Sequence, residues 1–359
     1  MTPAGFLETI ASLSLQSAVL IGVIGALTFR NRKSQSAHRM WAFCHMLLLL
    51  QFLLAFGVPH PRLFSPSLIE YGGYFESVQN VESGLGQILM VIWLAGVSVS
   101  LGLLVLGTTQ TVRILRRSKP IEEKPLTDQQ CLHKGGKPIL LLSSEETHTP
   151  FCWQIHQPVI VLPRPTLSLS ADELAMIIRH ETEHLRAGHP LHLFLQRLVE
   201  AVFWFHPLAW WSSRQAVYSR EFYCDNQSVH SSSEALIYLK SLLHFAEQQK
   251  QGWNSLSAGF VFRNSPSLIQ QRVSRLTNRD WSTSSGMTAG MTVDRWRISV
   301  VLITALLSLL LWIPLNVSAS NRSFWSPWPS WSTHVLHSMG IPARDYEIDG
   351  HRLRPHDHY

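Results

Sequence analysis

Long runs of apolar residues, almost free of charge, occupy the first third of the chain and return near its end. A helix needs about 20 predominantly apolar residues to cross the hydrocarbon core of a bilayer. Buried core helices are the alternative, but such helices rarely run this far without a charged residue. We therefore predict four transmembrane helices, at Phe6–Phe29, Trp41–Val58, Leu85–Val112 and Ile298–Val317.

Between the third and fourth runs, the pattern changes to short apolar segments separated by polar and turn residues. Lys137–Leu142 and Pro158–Leu162 are bounded by turn residues and predict strands. Ser170, with Glu173 three residues later, has the capping-box pattern of a helix start. Further helical stretches follow at residues 191–211, 212–228, 234–249 and 268–276. The predicted fold class is an α-helical integral membrane protein whose residues 113–297 form a mainly α, α+β domain.

Charge distribution predicts how the chain crosses the membrane. Only 15% of the 359 residues are charged, against roughly 25% in ordinary globular domains, which excludes a disordered chain. Basic residues cluster at 30–39, 113–119 and 295–297. In residues 59–84, by contrast, Arg62 is the only arginine or lysine. By the positive-inside rule, the amino terminus and the tail, residues 318–359, lie outside, and residues 113–297 lie in the cytoplasm. We expect a multi-pass protein of a bacterial inner membrane, with the lipid bilayer as a partner.

The net charge of +6 follows from this topology. A nucleic-acid-binding surface would show a basic stripe with interleaved aromatic residues, and the sequence has none. We therefore expect no direct contact with nucleic acid.

Residues 180–184 read His-Glu-Thr-Glu-His, the H-E-x-x-H pattern, within the helix predicted after Ser170. Four residues turn an α-helix by about 400°, so His180 and His184 project from nearly the same face. Two imidazoles at that spacing can bind one Zn²⁺. Glu181 lies beside them, where its carboxylate can accept a proton from the water that the metal activates. A solvated helix face that carries histidines by chance is the alternative.

A catalytic zinc site needs a third protein ligand and an open position. Glu221 and Asp225 are four residues apart in a predicted helix and share one face, although an exposed acidic face would have the same spacing. We predict Glu221 as the third ligand and Asp225 as the residue that orients a ligand histidine. Cys224 is less suited to be a ligand, because its side chain points about 100° away from Glu221. The roles of His189, His192 and His206 stay open. They are extra metal ligands, donors to the transition state, or histidines of the surface or the core.

Leu191–Trp211 is apolar enough to suggest a fifth membrane span. It contains polar residues that are costly in lipid, including Arg197 and Glu200. A crossing here would also put His184 and Glu221 on opposite sides of the membrane. We therefore predict an internal or membrane-surface helix with three tryptophans near the lipid headgroups, namely Trp204, Trp210 and Trp211.

Several segments together resemble the BlaR/MecR antirepressor family of zinc metallopeptidases. They read PVIVLP at 158–163, ADELAMIIRHETEHLRAGHPL at 171–191, FHPLAWW at 205–211, REFYCD at 220–225, LIYLKSLLHFAEQ at 236–248 and SPSLIQQRVSRL at 265–276. The predicted order of spans, three before the domain and one after it, is also similar. The resemblance implies a membrane-embedded endopeptidase with one Zn²⁺ per chain. Such a protease transduces a signal by cleaving itself, a cytoplasmic transcriptional repressor, or both.

The chain departs from that family in its outer tail. The best-known members carry an outside sensor that binds a β-lactam, but the tail after Asn316 has only about 40 residues and no S-x-x-K pattern. Trp281–Thr292 is small and polar and is a candidate self-cleavage site. A quality-control metalloprotease of the HtpX type and a non-enzymatic signalling scaffold are the alternative functions. A polypeptide substrate is the expected partner, and formation of a homodimer is an open alternative.

Overall fold

A computed structural model describes residues 3–29, 36–61, 75–121, 133–134, 137–155, 157–251, 266–279, 281, 295–313 and 330–341. Most of these residues are helical. Within this part of the chain, three helices are long and apolar enough to cross a membrane. They are α1 (Pro3–Phe29), α2 (Ala37–Gly57) and α3 (Phe75–Arg117). The first three predicted spans therefore agree with the structure, although α3 extends well beyond both ends of its apolar run.

The fourth apolar run forms a shorter helix, α9 (Arg295–Ser308), and residues 314–317 of the predicted span lie outside the described residues. A fourth span therefore stays a prediction. The chain is no longer helical after α9, and polar side chains of α1 contact this non-helical segment. Ser12 Oγ accepts a hydrogen bond from the Ile313 N–H at 2.9 Å, and Glu8 accepts one from the Trp312 indole. These contacts explain why α1 carries buried polar residues inside an apolar helix. Beyond it, α10 (Ser330–Ser338) contacts the end of α2 through Trp331.

A four-stranded mixed sheet supports the region that follows α3. Its order is β1 (Lys119–Pro120), β4 (Leu140–Ser144), β6 (Val159–Pro163) and β5 (Phe151–Trp153). β4 and β6 are parallel, and the two outer pairs are antiparallel. All five residues of β6 are buried, as expected for a central strand, while β5 forms one edge. A separate two-stranded sheet joins β2 (His133–Lys134) to β3 (Lys137–Pro138).

The helix that carries the H-E-x-x-H pattern packs on this sheet. α4 (Ala171–Arg186) begins at Ser170 with the predicted capping box, in which Ser170 and Glu173 each accept a hydrogen bond from the other's backbone N–H. Ile177 and Ile178 of α4 share an apolar cluster with Ile160 of β6. Gly188, with φ of 73°, ends the α4 region in a left-handed conformation that favours glycine. The helices that follow are α5 (His189–Val202), α6 (Pro207–Ser228), α7 (Ser232–Gln251) and α8 (Pro266–Thr277).

The single helix predicted for 191–211 is wrong, because the chain breaks between α5 and α6 at residues 203–206. The two helices form an α5–α6 hairpin, and its tip, residues 203–206, lies among α1, α2 and α3. His206 Nε2 contacts the Ser14 carbonyl at 3.1 Å, and the Trp93 indole donates to the Val202 carbonyl at 3.1 Å. Ser14 is about 22 Å along α1 from its end at Phe29, so the tip reaches the middle of the helical bundle.

Two of the tryptophans that are predicted near the headgroups pack on these helices, and their depth in the membrane stays a prediction. A Cβ added to Gly96 of α3 would lie 2.2 Å from the Trp204 side chain, and one added to Gly25 of α1 would lie 2.7 Å from that of Trp211. Trp211 also makes an edge contact with Trp41 of α2. Glycines on two membrane helices therefore provide the space in which the α5–α6 hairpin packs.

Candidate metal centre

Helices α4 and α6 bring three predicted ligand side chains together. His180 Nε2 and His184 Nε2 are 3.1 Å apart. The Glu221 carboxylate oxygens lie 3.6 Å from His180 Nε2 and 3.5 Å from His184 Nε2. All three residues are buried. The i, i+4 spacing in α4 places both imidazoles on one face, and α6 packs across that face with Glu221 opposite them.

The separations of these atoms fit a small divalent metal ion. Tetrahedral ligand atoms at about 2.05 Å from zinc are about 3.3 Å apart, and the two histidine nitrogens are 3.1 Å apart. Glu221 Oε1 lies 3.5 Å from His184 Nε2, and one ligand atom from each of the three residues lies within 4.8 Å of the others. Two imidazoles and one carboxylate are also a donor set of catalytic zinc sites. Burial lowers the pKa of His184 to about 3, so its ring is in the neutral form that binds metals. These three residues can therefore hold a metal.

Glu181 follows His180 in α4 and lines the cavity next to the ligand cluster. Burial raises the pKa of its carboxyl to about 7, and the nearby Glu221 carboxylate adds to the rise, while the His180 ring opposes it. A carboxyl group with a pKa near neutrality can exchange protons efficiently at that pH. The chain thus places a proton acceptor directly beside the candidate metal ligands.

A second set of side chains holds His180 and Glu221 from behind. Tyr238 of α7 contacts His180 Nδ1 at 2.8 Å and donates to Asp225 at 3.0 Å. Asp225 Oδ1 also lies 3.3 Å from His180 Nδ1. Asp225 therefore lies beside the candidate ligand His180, and Tyr238 bridges the two.

Arg272 of α8 contacts both acidic residues. Its Nε and Nη2 donate to the two oxygens of Asp225 at 2.9 and 2.7 Å, and its Nη1 lies 2.8 Å from Glu221 Oε2. Burial by itself would raise the pKa of Glu221, but the Arg272 guanidinium holds that pKa well below its usual range. Glu221 is therefore ionised, with Oε1 directed toward His184 and Oε2 toward Arg272.

The second ring nitrogen of His184 contacts another histidine. His184 Nδ1 and His189 Nδ1 are 3.0 Å apart, and Cys224 Sγ lies 3.5 Å from the same His189 atom. These three residues form a second buried cluster of metal-ligand type that shares His184 with the first. The structure places His206 at the hairpin tip, away from the cluster. The ring of His192 lies beside that of His189, at 5.9 Å between ring centroids.

Sequence reasoning missed Tyr238 and Arg272. Arg272 is 47 residues beyond Asp225, its main partner, and Tyr238 is 13 residues beyond it. No local spacing links residues that far apart. A buried pair of carboxylates does require compensating positive charge, and that requirement is the signal that could have directed attention to an arginine in a later helix.

A cavity of about 450 Å³ opens over the ligand cluster and is mostly apolar. The ligand residues, Glu181, His189 and Arg272 are among its polar lining residues. Its other walls come from β5, α5, α7 and α8, with Cys152, Trp153, Leu191, Phe194, Leu242 and Ile269 among the lining residues. An apolar cleft with a few convergent polar groups is the usual form of a substrate site.

The family described as BlaR1 peptidase M56 matches residues 75–276, which is more than half of the chain. The chain belongs to this peptidase family. The match spans α3, the sheet and helices α4 to α8, and so includes every residue of the ligand cluster. It confirms the resemblance derived from the sequence segments. Members of the M56 family are metallopeptidases, in agreement with a histidine and glutamate cluster that can hold a metal.

A curated relative supports the same assignment. The regulatory protein BlaR1 of Bacillus licheniformis is 26% identical over 193 residues, which cover 52% of this chain and 32% of the relative. The match thus spans about a third of the relative's length. The name of this relative describes it as a regulatory protein. That description applies to the relative.

Proposed function

We propose that this protein is a membrane-embedded zinc endopeptidase that transduces a signal. The observation that carries the proposal is the ligand cluster, in which one ligand atom each of His180, His184 and Glu221 lies within 4.8 Å of the others, and the two histidine nitrogens are 3.1 Å apart. Glu181 lies beside the cluster in a cavity large enough for a substrate segment. A structural metal would need neither an adjacent proton acceptor nor an open cavity.

The three ligand residues would hold one Zn²⁺ per chain. When bound, zinc supplies Lewis-acid activation of water and of the scissile carbonyl. Glu221 presents Oε1 to that position while Arg272 contacts Oε2. Tyr238 and Asp225 fix the ring of His180 through its Nδ1. The protein thus contributes a ligand set whose orientation is determined before metal binds.

Glu181 is the general base in this proposal. It accepts a proton from the attacking water and passes it to the leaving amine. Burial favours the protonated carboxyl, whereas a bound dication favours the ionised form, so metal binding increases the fraction of Glu181 that can act as the base. The apolar walls of the cavity keep other water away from the reacting groups.

The edge strand β5 provides a site for an extended peptide. β5 is the last strand of the sheet, and Phe151, Cys152 and Trp153 all line the cavity. An added strand gains main-chain hydrogen bonds along such an edge. We infer that the substrate lies beside β5 with its scissile bond over Glu181.

The active site lies at the cytoplasmic face of the membrane in this proposal. Thr111, near the end of α3, lines the cavity, and Arg116 and Arg117 form the last turn of that helix. Arg295 begins α9, the helix that leads into the fourth predicted span. Basic residues next to apolar helices favour the cytoplasmic side, which places residues 113–297 inside and the tail, residues 318–359, outside.

The substrate is proposed to be the chain itself, a cytoplasmic transcriptional repressor, or both. The relative named as a regulatory protein motivates this proposal. The candidate self-cleavage segment Trp281–Thr292 precedes α9, but residues 282–294 lie outside the described residues.

The test compares the full-length wild type with Glu181→Gln, both purified in detergent. Zinc content, fragments of the chain and cleavage of a quenched peptide library are measured. We expect about one zinc ion in both proteins and a loss of cleavage of about 10²–10⁴-fold in the variant, because only the base is removed.

Glu183→Gln is the matched control. Glu183 lies in the same helix but pairs with Arg186 at 2.7 Å and does not line the cavity. Its replacement should leave both zinc content and cleavage near the wild-type values. Cleavage by Glu181→Gln at the wild-type rate, or a wild type that binds no zinc, would contradict the proposal.

A further inference from the structure

His184 can ligate a metal only in one of its two tautomers. Its Nε2 faces His180 and Glu221, so this nitrogen must carry the lone pair that binds the metal. The proton of the neutral ring is then on Nδ1, which must donate to a neighbouring acceptor. His189 Nδ1 lies at hydrogen-bond distance from that nitrogen, 3.0 Å away, and can accept the proton.

The surroundings of His189 fit this acceptor role. The residue is fully buried, and the Cys224 thiol lies 3.5 Å from the same Nδ1 atom. A buried thiol is a weak donor, so two donors converge on one nitrogen. The His189 ring is also confined by ring-edge contacts, with Tyr223 of α6 at 5.7 Å and His38 of α2 at 5.1 Å between centroids. His189 is therefore held in place by side chains that do not belong to the ligand cluster.

We infer that His189 is a positioning residue that fixes the tautomer and the ring orientation of the metal ligand His184. The inference rests on the proposed metallopeptidase function and assigns a partner to the second ligand histidine, as Asp225 and Tyr238 are partners of the first. His38 belongs to α2, so a membrane helix contacts a residue that contacts a metal ligand.

The test measures the zinc affinity of the full-length protein, purified in detergent, by competition with a chelator. His189→Asn keeps a side-chain acceptor at the distance of Nδ1 from the backbone, whereas His189→Gln moves it one bond further. We expect the affinity of His189→Asn to stay within about threefold of wild type. His189→Gln and His189→Leu should lose about 10–100-fold, the usual effect of removing a partner of a metal ligand. His192→Asn is the matched control, because the His192 ring packs beside that of His189 but does not line the cavity, and the zinc affinity of this variant should be unchanged.

A second readout separates positioning from folding. The absorption spectrum of the cobalt-substituted protein reports ligand geometry, and it should change in His189→Gln and stay like wild type in His189→Asn. Melting temperatures of the metal-free variants show whether they fold. Equal zinc affinity in folded wild type, His189→Gln and His189→Leu would overturn the inference and leave the proposed function intact.

The second cluster supplies another outcome that would overturn the inference. Two zinc ions per wild-type chain, with one lost in both His189→Leu and Cys224→Ala, would make His189 a ligand of a second metal. A wild type that binds no zinc at all would instead contradict the proposed function.

Discussion

Replacing Arg272 by methionine should destabilise the metal-free protein more than any comparable change in α8. The guanidinium is almost fully buried and forms two hydrogen bonds with Asp225 and an ion pair with Glu221. Methionine keeps much of the volume but none of the charge. The change therefore leaves two carboxylates buried without their cation.

The expected magnitude follows from those contacts. Removing one partner of a buried ion pair lowers the free energy of unfolding by about 3–5 kcal/mol, because the remaining charge stays out of water. Each kcal/mol corresponds to about 2–4 °C in the melting temperature of a domain of this size. The metal-free Arg272→Met protein should therefore melt roughly 6–20 °C below wild type. Added zinc should narrow the difference in melting temperature, since a cation returns to Glu221, but should not abolish it, since Asp225 still lacks the guanidinium.

The assay is thermal unfolding of the full chain in detergent, with and without zinc, across a range of pH. Arg275→Met is the matched control, since Arg275 lies on the same helix and stacks on Phe222 at 4.5 Å. It should cost about 1 kcal/mol or less. A metal-free Arg272→Met protein that melts within 2 °C of wild type would refute the reasoning.

The pH dependence has a defined sign. Arg272 lowers the folded-state pKa of Glu221, so this carboxylate contributes stability above its ordinary pKa of about 4.3 and loses the contribution as the pH falls. Arg272→Met lacks that contribution. The difference between the two proteins should thus be widest near neutral pH and should narrow below about pH 4; a difference that grows on acidification would contradict the assignment.

Three further changes test other parts of the structure. Gly96→Val should destabilise the protein by about 1–3 kcal/mol in thermal unfolding, because its Cβ would meet an indole of the hairpin. Gly102→Val, with nothing within 4 Å of the added Cβ, should have little effect. Ser170→Ala should cost about 1 kcal/mol by the same measurement, through loss of the α4 cap. Tyr238→Phe should weaken zinc binding about 10-fold, measured by chelator competition, because it removes the hydroxyl that contacts His180.

Local patterns predicted the parts of the fold that local interactions determine. The capping box at Ser170, the histidine pair on α4 and the pairing of Glu221 with Asp225 on one helix face depend on spacings of three or four residues. The first three membrane helices follow from uninterrupted apolar runs. In each case the interacting groups are neighbours on one helix, so the sequence spacing is also the spatial spacing.

Features that depend on distant contacts could not be predicted in this way. The apolar run at 191–211 has no internal signal that distinguishes one helix from a hairpin, because the break at residues 203–206 is stabilised by contacts with α1 and α3. Arg272 and Tyr238 reach the ligand cluster from α8 and α7 across long loops. Such partners are chosen by tertiary packing and leave no periodic trace in the chain.

The α5–α6 hairpin inserts among α1, α2 and α3, and this insertion determines which part of the chain can be studied in isolation. A recombinant fragment limited to residues 113–297 would expose the hairpin tip and the tryptophans around it to water. Such a fragment would aggregate or refold around a collapsed hairpin, and Glu221, carried by the second helix of that hairpin, would lose its place opposite the histidines. Inhibitor screens and soluble-domain crystallography should therefore start from the intact chain in a detergent micelle or a lipid nanodisc.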